Sequence, residues 1–165
     1  MTGLMYNRRV SKTHPRMEAL GALDELSAAI GVARAAAQDR PRAGELRQIQ
    51  KQLVALMGEI ATHPDDLARY KADGYDQLPA DASITVESWI KELEAQNISF
   101  KGWATPGATA PAAALDLARS IARRAERNVI HLVELGEIQN PSLQVFLNRV
   151  SDFLWLSARA AESEI

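Results

Sequence analysis

Cysteine is absent from this chain of 165 residues, which excludes disulfides, thiolate metal sites and cysteine nucleophiles but does not identify a compartment. Charge of one sign is not in excess either. Nineteen Lys and Arg against 21 Asp and Glu leave a formal net charge of −2, so nothing global draws the chain to nucleic acid or to a membrane, and any anion site must be local. No apolar run approaches the ~20 residues that span a bilayer. The amino-terminal "MTGLMYNRRVSKTHPR" lacks the apolar core of a secretion signal, and a cytoplasmic location is expected. His14, His63 and His131 show no metal-ligand spacing, so no protein-built metal site is expected. The sequon at Asn97–Ser99 is a chance match without a secretion signal. Phosphate-loop, dinucleotide-binding, zinc-protease and nucleophile-elbow motifs are missing.

What is present is helical periodicity. The apolar fraction is 47%, ordinary for a globular chain, and the length fits one domain over 1–165 with a core that needs no staples. Leu23, Leu26, Ile30 and Ala33 recur at three- and four-residue steps between Arg16 and Ala37; Leu46, Ile49, Leu53, Leu56 and Ile60 do so between Arg42 and Thr62. The polar stretch from His63 to Ala82 reads as a loop with one short helical turn. A third helix over Ser83–Gln96 buries Val86, Ile90 and Leu93. The fourth begins near Thr109, with Pro111 in its first turn, and stops near Gly136. The fifth starts at Asn140-Pro141 and carries Leu143, Leu147, Val150, Leu154 and Leu156. No strand alternation is visible. The expectation is an all-α, five-helix bundle.

Arg119, Arg123, Arg124, Glu126 and Arg127 crowd one stretch of the fourth helix. Positions four apart share a face, so Arg119, Arg123 and Arg127 form a stripe of like charge that is mildly destabilising on its own. An anionic ligand would relieve it, as would water or the carboxylates of a neighbouring helix. Three other features bear on that choice. The turn "FKGWATPGATAP" puts Trp103 before the arginine helix, either as a core anchor or beside a ligand. Asn148 and Asp152, four apart among large apolar residues of the fifth helix, either tie helices together or face a ligand. Lys12 stands just before the first helix, where a lysine and free backbone N–H groups suit a phosphate.

Taken in order, "RVSKTHPRMEALGALDELSAAIG", "TPGATAPAAALDLARSIARRAER" and "FLNRVSDFLWLSAR" resemble the PduO-type ATP:cob(I)alamin adenosyltransferases, from Leu4 to near the C-terminus. The resemblance implies a trimeric five-helix bundle with active sites between subunits. It also implies transfer of the 5′-deoxyadenosyl group of ATP to the cobalt of a reduced corrinoid, with release of triphosphate. ATP with Mg²⁺, and cobalamin as substrate, are the implied ligands; a corrinoid reductase or a B12-dependent enzyme is an implied partner. By this resemblance Arg119, Arg123, Arg124, Glu126 and Asn148 line the nucleotide site and Lys12 lies near the phosphates. Asp24 matches an aspartate that pairs across the subunit interface with the arginine at position 119. Trp103 falls where a phenylalanine usually crowds the lower face of the corrin.

The chain also departs from the family pattern. The sequence begins at what resembles the tail of the family's opening Thr-Gly-Asp-x-Gly-x-Thr segment, "TGLM", as expected either of a shortened chain or of a divergent member with a weakened ATP site. That keeps open a non-catalytic relative that binds or delivers a corrinoid or nucleotide. Ser27 replaces an asparagine, Ala108 a glycine and Asp116 a histidine. The negative charge of Asp116 near the site entrance is expected to weaken ATP binding.

Overall fold

The computed structural model describes residues 1–37, 40–98 and 102–163. Ser99 of the sequon, and Phe100 and Lys101 of the turn before the arginine helix, lie outside the described residues. Six helices make up most of the described chain: α1 Pro15–Ala36, α2 Arg40–Ile60, α3 Leu67–Ala72, α4 Ala82–Glu94, α5 Ala110–Glu134 and α6 Ser142–Ser163. Among them no helix is long and apolar enough to cross a membrane.

The helix ends follow local chemistry. His14 Nδ1 accepts from Arg16 N at 3.1 Å and Pro15 occupies the first turn of α1, where its missing N–H costs nothing. Thr109 caps α5 by accepting from Ala112 N at 3.1 Å, and α5 stops at Gly136, whose φ of +72° suits glycine. Asn140 accepts from Ser142 N at 3.0 Å, so the expected cap is present and α6 starts just beyond Pro141.

The apolar stripes are buried as their spacing predicts, except that Leu156 is only partly buried; Leu23, Leu26, Ile30, Leu46, Ile49, Leu53, Leu56 and Ile60 are all fully buried. Each such side chain contributes about 1.5–3 kcal/mol over leaving it exposed. α5 packs against both α1 and α6; α2 covers α1, and α4 covers α6. Glu18 lies beside Asn128 and Glu25 beside Arg124, so α1 and α5 run antiparallel. Asp116 beside Arg159 and Glu126 beside Asn148 give the same sense to α5 and α6.

Two features go beyond the expected bundle. The short helix α3 is the anticipated turn within the polar stretch, formed as a distinct element. The amino terminus, read as strand-free, is a two-stranded antiparallel hairpin of β1 (Thr2–Gly3) and β2 (Arg9–Val10), with Thr2 opposite Val10. Two residues per strand are too few to show alternation, which corrects the strand-free expectation.

Arg16, fully buried, fastens this end of the bundle. Its guanidinium donates to Ile60 O at 2.7 Å, Thr62 O at 3.1 Å, Glu137 O at 2.5 Å and Glu137 Oε2 at 2.9 Å. It thereby satisfies the carbonyls that end α2 and those following α5, orphan groups that burial would otherwise make costly.

Candidate functional site

The arginines of α5 divide between two faces. Arg119 and Arg123, one turn apart, line a cavity of about 740 Å³ between α4, α5 and α6, a volume typical of small-molecule sites. Arg124 is rotated toward α1 and forms an ion pair with Glu25. Arg127 is exposed further along the helix.

The cavity has an apolar floor that includes Ile90, Trp155 and Leu156, and a polar wall. That wall carries three arginines and three carboxylates, Glu94 among them, but they are unevenly paired. Arg149 sits 3.2 Å from Glu87 and 3.5 Å from Asp152, and donates to Asn148 Oδ1 at 2.9 Å. Asn148 Nδ2 in turn donates to Glu126 Oε1 at 3.1 Å. The polar run Glu126–Asn148–Arg149 thus crosses from α5 to α6 and on to α4, and it occupies these carboxylates locally. Of the two readings of the Asn148 and Asp152 pair, Asn148 ties helices together while Asp152 also faces the cavity.

Arg119 and Arg123 are left differently. Arg119 is one-third exposed, its Nε is buried without a hydrogen-bond acceptor, and the nearest carboxylate, Asp116 Oδ1, lies 3.9 Å away. Asp116 is itself committed to Arg159 at 2.5 Å in a pair nearly sealed from water. Arg123 is exposed and makes no ion pair among the described residues. This end of the cavity therefore carries cationic donors short of acceptors, which suits a multiply charged anion. The position of Asp116 corrects the expectation of free negative charge at the entrance: its carboxylate is neutralised inside the α5–α6 interface.

One chain does not gather all the expected site residues. Lys12 is exposed between β2 and α1, at the end of the bundle that Arg16 fastens to Glu137. From Arg123 to the end of α5 at Glu134 is about 17 Å of helix at 1.5 Å per residue. Asp24 is exposed on α1 and has no ion pair within the chain among the described residues. Trp103 stands 93% exposed in the loop before α5, so it is not a core anchor.

The sequence model of the cobalamin adenosyltransferase family matches residues 1–161. The chain belongs to that family. The corrinoid adenosyltransferase PduO of Salmonella typhimurium is 34% identical over 99% of this chain, which spans about half, 47%, of that relative's length. The corrinoid adenosyltransferase of Bacillus subtilis is 32% identical over 98% of this chain and 81% of the relative. A variant PduO-type ATP:corrinoid adenosyltransferase from Lactobacillus reuteri, solved with cobalamin and ATP, superposes with a TM-score of 0.85 at 29% identity. That match covers 98% of this chain and 88% of the other.

In this cobalamin adenosyltransferase family member the cavity wall includes Arg119, Arg123 and Asp152, which the sequence had singled out, and Glu87, Arg149 and Trp155, which it had not; Asn148 lies off the wall, bonded to Arg149 and Glu126. The one local signal for Arg149 was its i,i+3 spacing to Asp152. Glu87 lies 62 residues from Arg149 in sequence, and no pattern in α4 marks it.

Proposed function

We propose that the protein transfers the 5′-deoxyadenosyl group of ATP to the cobalt of a reduced corrinoid, releasing triphosphate. The observation that carries this reading is the pair Arg119 and Arg123, acceptor-poor cations on the wall of one apolar-floored cavity, in a chain of this family. The cobalt of the reduced corrinoid substrate is the nucleophile. A cobalt–carbon bond forms at C5′ as the C5′–O bond breaks, and the electron pair leaves with triphosphate. No serine or histidine nucleophile is required. The work of the protein is positioning and charge stabilisation. Arg119 and Arg123 hold the triphosphate and offset the negative charge that develops on it.

The remaining roles extend the same reading. Asn148 and Glu126 hold the nucleotide side of the site, and Arg124, paired with Glu25, fixes α1 against α5 beside it. Mg²⁺ fits this donor set: it keeps several waters and takes one or two carboxylates plus substrate phosphates. The carboxylates on the cavity lining, Glu87, Glu94 and Asp152, could supply one or two such ligands, and among the described residues no cluster of three or more His, Asp or Glu could cage a metal alone. Lys12 and Asp24 act in trans in a homotrimer, where Asp24 of a neighbouring subunit meets Arg119 and Lys12 reaches the phosphates. The unsatisfied Nε of Arg119 and the unpaired carboxylate of Asp24 support that arrangement. Trp103, exposed at the start of the arginine helix, presents its ring to the lower corrin face. A corrinoid reductase or a B12-dependent enzyme would be the protein partner, and the cytoplasm the compartment.

The test is an anaerobic assay with ATP, Mg²⁺ and chemically reduced cobalamin, following loss of the Co(I) absorbance. Protein-dependent formation of a light-sensitive alkylcobalamin is the expected result. Cobalamin binding without conversion would overturn the catalytic assignment in favour of a carrier.

A further inference from the structure

The hairpin turn carries backbone strain that a glycine would avoid. Arg8 N donates to Met5 O at 3.3 Å, and the two central residues, Tyr6 and Asn7, have φ of +58° and +60°. Positive φ at both is the mirror-image turn geometry, here with Met5 as an extra residue before it, since Leu4 N donates to Arg8 O at 2.7 Å. Asparagine adopts positive φ readily, whereas a bulky tyrosine rarely does. The side chain of Tyr6 supplies a reason for its presence. Its hydroxyl donates to Asp73 Oδ2 at 2.8 Å, and the Arg69 guanidinium lies 4.3 Å from its ring centroid. Arg8 Nε donates to Asp66 Oδ2 at 2.8 Å, with Asp65 at 3.7 Å from its other nitrogen. The backbone adds one contact, Met5 N to Ala61 O at 3.0 Å. The hairpin is thus docked by polar contacts on residues 61–73, the end of α2 through α3.

From β2 the chain runs directly to Lys12, which is two residues past the hairpin and two before the His14 cap of α1. The segment is therefore held from both sides. On the α1 side the hold is the buried Arg16 network, part of the core. On the hairpin side it is a set of largely exposed contacts outside the core.

We propose that Tyr6 and Arg8 are positioning residues: they latch the hairpin onto α3 and so present Lys12, already ordered, to the nucleotide triphosphate. The inference rests on the proposed adenosyl transfer and on Lys12 as a phosphate ligand. A lysine fixed in advance binds an anion without the entropy loss of ordering its segment. Opening the latch weakens ATP in the ground state and the transition state alike, which raises KM and leaves kcat in place.

The experiment compares wild type, Tyr6→Gly, Tyr6→Phe and Asp73→Asn by ATP dependence of the anaerobic assay, thermal melting, and hydrogen exchange of the amides of residues 9–13. Glycine is at ease at this φ, so Tyr6→Gly removes the strain together with the latch. It is expected to raise KM for ATP about tenfold, equivalent to ~1.4 kcal/mol, with kcat and Tm nearly unchanged and exchange at residues 9–13 accelerated. Tyr6→Phe gives a smaller rise of the same kind. Asp73→Asn keeps an acceptor for the hydroxyl and stays near wild type. An unchanged KM in Tyr6→Gly overturns the latch, as does a fall in kcat at constant KM. If the wild-type chain shows no turnover, the adenosyl-transfer reading fails instead. The latch is then judged by exchange alone, where unaltered protection of residues 9–13 in Tyr6→Gly overturns it.

Discussion

Asp116 Oδ2 and Arg159 Nη2 meet at 2.5 Å across the α5–α6 interface, both residues nearly sealed from water. Glu162, at 3.1 Å, also faces the guanidinium, but it is about one-quarter exposed. Removing Asp116 therefore leaves a buried arginine with a diminished partner set, the situation in which breaking a buried pair costs about 3–5 kcal/mol. Asp116→Ala is expected to lower stability by about 3 kcal/mol, or roughly 6–12 °C in Tm for a domain of this size. Differential scanning calorimetry checks it. A Tm within one degree of wild type would show that the other partners of Arg159, Glu162 and the Trp155 ring among them, satisfy it without Asp116.

Arg123 presents the opposite case. It is exposed, lines the cavity and makes no ion pair among the described residues, so the fold loses little without it. Arg123→Ala should leave the melting curve within about 0.5 kcal/mol of wild type, as for other surface substitutions. Turnover of ATP and reduced cobalamin should nevertheless drop by at least about a hundredfold, the scale on which loss of a charge-stabilising donor is felt. Near-normal turnover by a folded variant would remove Arg123 from the assignment.

Gly58 is required by its neighbour. A Cβ at this position would stand 2.0 Å from the Tyr70 hydroxyl and 3.1 Å from its Cζ. That hydroxyl donates to Asp76 O at 3.1 Å, so the ring cannot move aside without giving up its bond. Gly58→Ala is expected to cost about 1–3 kcal/mol through overpacking. Adding Tyr70→Phe removes the atom in the worst contact and should recover most of that loss. Additive effects in the double-variant cycle would show that the strain lies elsewhere.

The parts of this structure legible in the sequence are those fixed by local periodicity and capping. Leu46, Ile49, Leu53, Leu56 and Ile60 are all fully buried because one helical face decides their fate. Thr109 and Gly136 bound α5 for reasons contained within a turn of chain. Illegible parts depend on partners distant in sequence. Arg16 has no apolar character, yet it is buried because carbonyls 44 and 46 residues away accept from it. Asp116 looked like free charge because its partner lies 43 residues on. The stripe of Arg119, Arg123 and Arg127 was legible from spacing alone, but the partners of the cluster were not: Glu25, 99 residues away, claims Arg124, while Arg119 and Arg123 are left to the cavity.

The hairpin contacts predict opposite responses at the two ends of the pH scale. The hydrogen bond from Arg8 holds the Asp66 carboxyl below its ordinary value of 3.8. A depressed carboxylate contributes stability above its unfolded value and loses it as pH falls through the folded one, so this contact fails only in acid, as pH falls below 3.8. Tyr6 behaves in the reverse sense. Loss of hydration and the bond to Asp73 push its phenol up from 10.0 to about 12. A raised group contributes below its unfolded value and loses its contribution as pH climbs through the folded one. The latch should therefore be intact across the neutral range and open between about pH 10 and 12. Ultraviolet difference titration of wild type against Tyr6→Phe checks it, with the signal missing from the variant expected near pH 12. A missing signal centred near pH 10 would mean that the Tyr6 hydroxyl is free in solution and that Asp73 does not hold the turn.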